Sequence, residues 1–323
     1  MQIKLQKKAD LLLRKDSKYK DKEWRLLKDA CSLNSMVGLK VNELIGMQWT
    51  PRYSYCNVML NNQYQGCYIL IETVKRNPDC RIDISKEGYI IERDAYWWNE
   101  DVYFKSNFFN DGRYGWTFKE PDNDVITQEQ IDYIQQVVDD AEASIVNATY
   151  NNKIDTHSFA CWLLAHDILG TWDTGGSNIY ITKYDNTEDS KLMMGNLWDF
   201  DTIFRVDAEE WNKFHKNNED FYFEQLLTSY NRSFTSEYKT IWNSLQSILY
   251  DEIETMLTEF KNSNTATSLQ LSRQYYDGYY DYGCTSIDEE VSDILNWFER
   301  RIPWLNTEIA KMDDETGIVN TRV

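Results

Sequence analysis

The stretch MGNLWDFDTIF, residues 194–204, sets Asp199 and Asp201 in alternation with Trp198 and Phe200 at the end of an apolar run. In an extended chain successive side chains point to opposite faces, so both carboxylates would share one face and both aromatics the other. Two like charges beside a core strand read either as a strand end passing into a solvated loop or as oxygen ligands for a cation. A second pair lies upstream. Asp173 and Asn178, with four residues between them, stand at the start of the strand-like run NIYIT at 178–182. The acidic turn 185–190 and the apolar run 191–198 then lead back to Asp199.

An Asp-x4-Asn followed by a hairpin and an Asp has a known use in phosphoryl transfer. There one Asp accepts or orients the attacking hydroxyl, while the Asn and the later Asp hold the magnesium that neutralises triphosphate charge. Mg²⁺ demands oxygen ligands and usually takes only one or two protein carboxylates. Asn178 with Asp199 or Asp201 would meet that need. Asp-x4-Asn alone often occurs by chance, and a capped loop with a solvated strand end remains the alternative. Glycosidase chemistry is disfavoured, because its two carboxylates must flank the sugar. On one strand face Asp199 and Asp201 would instead lie side by side, about 7 Å apart. His166, beside Asp167, is one of three His. With no Ser or Cys elbow, it reads as a satisfied histidine near a helix end and not as part of a hydrolase triad.

The 323 residues are 42% hydrophobic and 15% aromatic, ample for a packed core. Most of the 12 Trp and 22 Tyr are assigned to packing ahead of ligand stacking. A net charge of −19 with no basic cluster argues against nucleic acid as the main partner. The six Cys contain no C-x-x-C, so with three His a zinc ribbon or finger is not expected. Cys56 and Cys67 flank a hairpin and are read as two buried thiols. No apolar run of about twenty residues is present, so no transmembrane segment is expected. The opening QIKL alternates like a strand, as though the chain began inside a sheet and a native precursor were longer.

Residues 20–48 read as helical, with one stripe at Leu26, Leu27, Ala30 and Cys31 and another from Met36 to Ile45. Strands at 53–60 and 64–72 form a hairpin about Asn61-Asn62-Gln63, because Asn tolerates the positive φ of tight turns. A third strand is expected at 88–93. Residues 95–125 read as loop with short strands. Thr127 and Gln130 form a capping box that opens a helix, and a second helix covers 155–169 with Asp155 or Thr156 as its cap. Helices are expected at 221–229, 236–261 and 286–311, with the Tyr-rich segment 275–283 as a loop. A boundary near 125 separates a sheet-plus-helix region, 1–125, from a mainly helical one, 126–323.

Several segments together resemble the CotH family, the spore coat protein H-like atypical protein kinases. They are EWRLLKDACSLNSMVGLKVNELIG (23–46), TPRYSYCNVMLNNQYQGCYILIE (50–72), GYIIERD (88–94), HDILGTWDTGGSNIYI (166–181), GNLWDFDTIF (195–204) and WFERRIPWLNTEIA (297–310). The resemblance implies an α+β, two-lobed kinase-like fold with a small antiparallel-sheet lobe and a larger helical lobe. It implies Mg-ATP-dependent transfer of phosphate to Ser or Thr of a protein substrate. By position Asp173 would be the catalytic aspartate, Asn178 and Asp199 the metal ligands, and Asp201 their support. Glu72 would lead into the hinge beside the nucleotide, while Lys75 and Arg76 just beyond it either approach a nucleotide phosphate or stand as solvated charges after the strand. Glu43 in the helix behind the nucleotide either faces the site or turns away, while Arg52 is read as structural. Family members carry a phosphate-pairing lysine on a strand upstream of Met1, so it is expected to be missing here. Two rival functions follow: a kinase-fold envelope or coat protein that binds without turnover, and a carbohydrate-binding surface protein. A place outside the cytoplasm is favoured if a longer precursor carries a signal.

Overall fold

The computed structural model describes residues 1–28, 33–108, 112–171, 177–204, 210–214, 222–275 and 286–312. Its first sheet has four antiparallel strands in the order β1 (Gln2–Ala9), β2 (Asp21–Leu27), β4 (Gln63–Glu72), β3 (Tyr53–Leu60). The β3–β4 turn carries Asn61 and Asn62 at φ of 50° and 63°, the paired left-handed residues of a two-residue hairpin turn. Leu60 and Gln63 face each other across it, so the turn is one residue tighter than Asn61-Asn62-Gln63. The Cys67 N–H, beside the Val58/Met59 register shift, donates to Ser272 Oγ at 2.9 Å. Cys56 lies opposite Tyr68 and Cys67 opposite Asn57, and both are free thiols.

The segment 21–27 is a strand and not the first turns of a helix. Its adjacent Leu26 and Leu27 look helical because both are apolar, but they lie on opposite faces of β2 and meet different clusters. Trp24 and Leu26 pack with Ile3, Leu11 and Leu70 on one side, while Leu27 joins the main core on the other. The helix starts only at α1 (Asn34–Leu44).

The second sheet is also antiparallel, in the order β6 (Tyr103–Phe104), β7 (Gly115–Glu120), β5 (Tyr89–Asp94), β8 (Ile179–Lys183), β9 (Leu192–Met194). Its strands come from both sides of residue 125, with β5 paired to β8 from Tyr89↔Lys183 to Arg93↔Ile179. Between them run α2 (Gln128–Val146), opened by the Thr127/Gln130 capping box, and α3 (Thr156–Leu169), capped by Asp155. Every α3 residue from Ser158 to Leu169 is buried. That is why its apolar residues form no single stripe.

The remaining helices are α4 (Tyr222–Thr228), α5 (Ser233–Leu245), α6 (Leu249–Lys261), α7 (Asn264–Tyr275) and α8 (Ile287–Ala310). The continuous helix expected over 236–261 breaks at 246–248, so that α5 packs on α3 while α6 packs on α8. Helix α7 was not expected, since it buries few apolar side chains, Ala266 and Leu269 foremost. Among the described residues no helix is long and apolar enough to cross a membrane. The architecture is α+β, with helices packed against two antiparallel sheets.

Replacing both Asn61 and Asn62 with Ala is expected to lower stability by about 2 kcal/mol, because each Ala must hold a left-handed backbone. Asn62→Gly should leave it unchanged or higher. Urea denaturation of the variants checks this, and an undisturbed double-Ala variant would contradict the turn geometry.

Candidate functional site

Helix α3 ends where the expected catalytic segment begins. The last four carbonyls of a helix lack partners within it, and here every one is taken. His166 O accepts from Gly170 N and from Thr171 N at 3.2 Å. Asp167 O accepts from Nε of the fully buried Arg301 at 2.8 Å and from its Nη2. Ile168 O accepts from Trp297 Nε1 at 3.1 Å, and Leu169 O from Phe204 N at 3.0 Å. Gly170 turns the chain at φ 61°, where a Cβ would meet the Trp297 ring at 2.5 Å. The His166 ring is buried and lies 2.9 Å from Thr171 Oγ1, a satisfied helix-end histidine as the sequence suggests. The Asp167 carboxylate accepts from Tyr238 OH at 2.7 Å.

Residues 172–176, with Asp173, lie outside the described residues. The chain resumes at Ser177, and Asn178 enters β8 at φ 59°. After β9 it continues beside β8, with Gly195 N bonded to Tyr180 O at 2.7 Å. It then crosses to α1. Leu197 N donates to Oδ1 of the buried Asn42 at 2.8 Å, and the Phe200 ring fills the space over Gly38 where any Cβ would overlap it. Asp199 sits between these anchors at φ 61°.

Residues 199–204 therefore form a turn and not a strand end. The aromatics still anchor inward, with Phe200 buried and Trp198 half-buried, while Asp199 and Asp201 are exposed. A strand would also place Asp199 and Asp201 side by side as partners. The turn instead gives Asp199 to Asn178, whose Nδ2 donates to Asp199 Oδ2 at 3.2 Å. Both residues occupy the left-handed region, which Asn and Asp visit more readily than other side chains, and such backbone strain clusters at functional sites. An amide and a carboxylate offer oxygen donors, the set a hard divalent cation takes. Among the described residues no three His, Cys, Asp or Glu gather into a metal cluster, so the pair is the one expected oxygen-donor set brought together.

The other expected site residues are engaged elsewhere. Glu72 is fully buried. Its carboxylate binds Arg14 Nη1 at 2.9 Å and accepts from Arg52 N at 3.0 Å. Lys75 Nζ lies 3.2 Å from both Asp21 Oδ1 and Glu23 Oε2. Glu43 is engaged by a cation directly before β3. It pairs with Arg52 at 3.1 Å on the wall of a cleft of about 460 Å³ between α1 and α6.

Burial alone would raise the Asp21 carboxyl, but Arg81, the Glu23 N–H and Lys75 together hold it below the ordinary 3.8. One cation escaped the sequence reading because β2 was taken for helix. Arg25 projects from β2 with its Cζ 6.0 Å from the Trp198 ring centroid. Both Arg25 and Asp199 act on the Tyr180 phenol, which burial and Glu92 hold well above the ordinary tyrosine range.

Residues 4–305 match the family described as CotH kinase protein. The chain belongs to that family. A comparison with curated proteins finds no match.

Gly38→Ala is expected to cost about 1–3 kcal/mol by overpacking against Phe200. Part of that cost should return in the Gly38→Ala/Phe200→Leu double variant, and additive losses in urea denaturation would contradict the contact. Asp21→Asn should cost about 3 kcal/mol at pH 7, because it leaves Arg81 buried without its partner. A lowered folded-state pKa contributes stability above the unfolded value, lost as pH falls through the folded one. The gap between wild type and variant should therefore narrow below about pH 4, which denaturation at stepped pH would show.

Proposed function

We propose that this member of the CotH kinase family is a two-lobed protein kinase that uses Mg-ATP to phosphorylate Ser or Thr of a protein substrate. The observation that carries the reading is the Asn178–Asp199 contact of 3.2 Å, made by two left-handed residues at the two ends of the β8–β9 hairpin. On this reading the four-stranded sheet with α1 is the small lobe, and the elements from α2 onward are the larger one.

Asn178 and Asp199 hold the magnesium ion, with Asp201 as support from the same turn. When bound, the ion neutralises charge on the triphosphate. Asp173 would accept the proton of the substrate hydroxyl and orient its oxygen toward the γ-phosphoryl group, whose bond to the β-phosphate breaks to release ADP. Phe200, packed over Gly38, couples the carboxylate of Asp199 to α1. Glu72 and Lys75 serve through the strand end they brace, since their side chains are held in ion pairs with Arg14, Asp21 and Glu23.

A rival reading draws on a separate observation. Tyr96, Trp98 and Tyr103 are 66%, 57% and 43% exposed. They form an aromatic surface of the kind on which sugars stack, suited to a carbohydrate-binding protein without turnover.

Thermal unfolding with Mg-ATP separates the two. A ligand that binds only the native state at a hundredfold excess over Kd adds about 2.7 kcal/mol of stability. The kinase reading expects a Mg²⁺-dependent rise in Tm that Asp199→Ala and Asn178→Ala abolish, with phosphate incorporation into protein lost in Asp173→Ala. No rise with Mg-ATP, together with oligosaccharide binding that survives Asp199→Ala, would replace it with the carbohydrate reading.

A further inference from the structure

Several cations around the first sheet are engaged by acids or carbonyls. Lys4 lies 4.0 Å from Glu23, Lys75 is held by Asp21 and Glu23, and Arg81 faces Asp21 at 3.7 Å. Arg14 is shared between Asp10 and Glu72, and Arg76 Nε donates to the carbonyls of Ile84 and Ser85 at 2.9 and 3.0 Å. Arg25 differs. Among the described residues it forms no ion pair, and its contact is the face of Trp198, the residue before Asp199.

Its position follows from the strand. β2 alternates, so Trp24 and Leu26 turn into the small cluster with Ile3 and Leu70, while Arg25 turns to the opposite face. There the 197–200 segment is fixed to α1 through Asn42 and Gly38. The indole face favours a guanidinium by cation–π attraction and occupies none of its five N–H donors. A guanidinium is the side chain best matched to phosphate oxygens, because its planar fork donates to two at once.

We propose that Arg25 is the phosphate-binding cation of this site, its guanidinium taking non-bridging phosphate oxygens of a nucleoside triphosphate whose metal is held by Asn178 and Asp199. This rests on the nucleotide reading above and deepens it by placing a phosphate cation on β2.

Titration calorimetry of the full chain with Mg-ATP and with adenosine, on wild type, Arg25→Ala and Arg25→Lys, tests it. Arg25 is exposed, so the unliganded Tm should be unchanged. Expected is a loss of tenfold or more in Mg-ATP affinity for Arg25→Ala, a smaller loss for Arg25→Lys, and adenosine affinity within about threefold of wild type. Mg-ATP binding by Arg25→Ala equal to wild type would overturn the role of Arg25 while leaving the nucleotide reading intact. Equal losses for Mg-ATP and adenosine would overturn it too, as a general distortion of the pocket. Should Arg25→Ala not fold, Arg25→Gln keeps the stem of the side chain and is held to the same outcomes. No Mg-ATP binding by wild type would overturn the nucleotide reading and this proposal with it.

Discussion

The site depends on how one buried helix end is satisfied. Helix α3 is enclosed along its length, so the four carbonyls of its last turn cannot turn to water, and leaving them unpaired would cost several kcal/mol. Three separate parts of the chain supply the donors: the Gly170–Thr171 turn, Arg301 and Trp297 of α8, and Phe204. One of them leads directly to the candidate site, since Phe204 closes the turn that opens with Asp199. The far end of the segment bearing Asp199 is thus fixed to the end of α3. Arg301 is itself a fully buried charge, stabilised by the negative end of the α3 dipole and by the carbonyls of Trp211 and Lys213, each 2.6 Å from its Nη1.

Charge is distributed unevenly around this frame. At one end of the first sheet, Asp10, Arg14, Glu72, Asp21, Glu23, Lys75 and Arg81 neutralise one another around Trp24. Its ring lies 5.6 Å from the Arg81 guanidinium and 5.9 Å from that of Arg14. Such a network fixes the β1–β2 and β4–β5 connections to each other, and its buried pairs resist disruption because each loss strands a partner charge. Near Trp198 the arrangement is different: Arg25 lies on an aromatic face, and Asn178 and Asp199 meet each other on strained backbone.

The chain after the β8–β9 hairpin connects the second sheet to α1. Tyr180 packs between Trp49, Ile82 and Ile90, while Gly195 allows the returning chain to lie against it, since a Cβ there would come within 2.7 Å of Tyr180 Cβ. Beyond Gly195 the chain leaves the second sheet and docks on α1, which also packs against α3 and α6. Movement of α1 would therefore carry Phe200, and Asp199 with it, relative to Asn178.

The sequence by itself determined the local features whose cause lies within a few residues. The Asn61-Asn62 hairpin, the Thr127/Gln130 capping box, the Asp155 cap and the satisfied His166 are all legible, because turn and cap preferences are set by near neighbours. The family was also legible, through the resemblance of several segments along the chain. Tertiary structure decided what depends on burial from two sides. It made 21–27 a strand whose Leu26 and Leu27 meet different clusters on opposite faces, where the pair mimics a helical stripe, and so revealed Arg25. It also bent the W-D-F-D run into a turn, because Phe200 reaches Gly38, Leu197 reaches Asn42 and Phe204 reaches Leu169, contacts between residues far apart in sequence. Periodicity records which side chains are apolar; it does not record which partners will cover them, and here those partners aim the carboxylate.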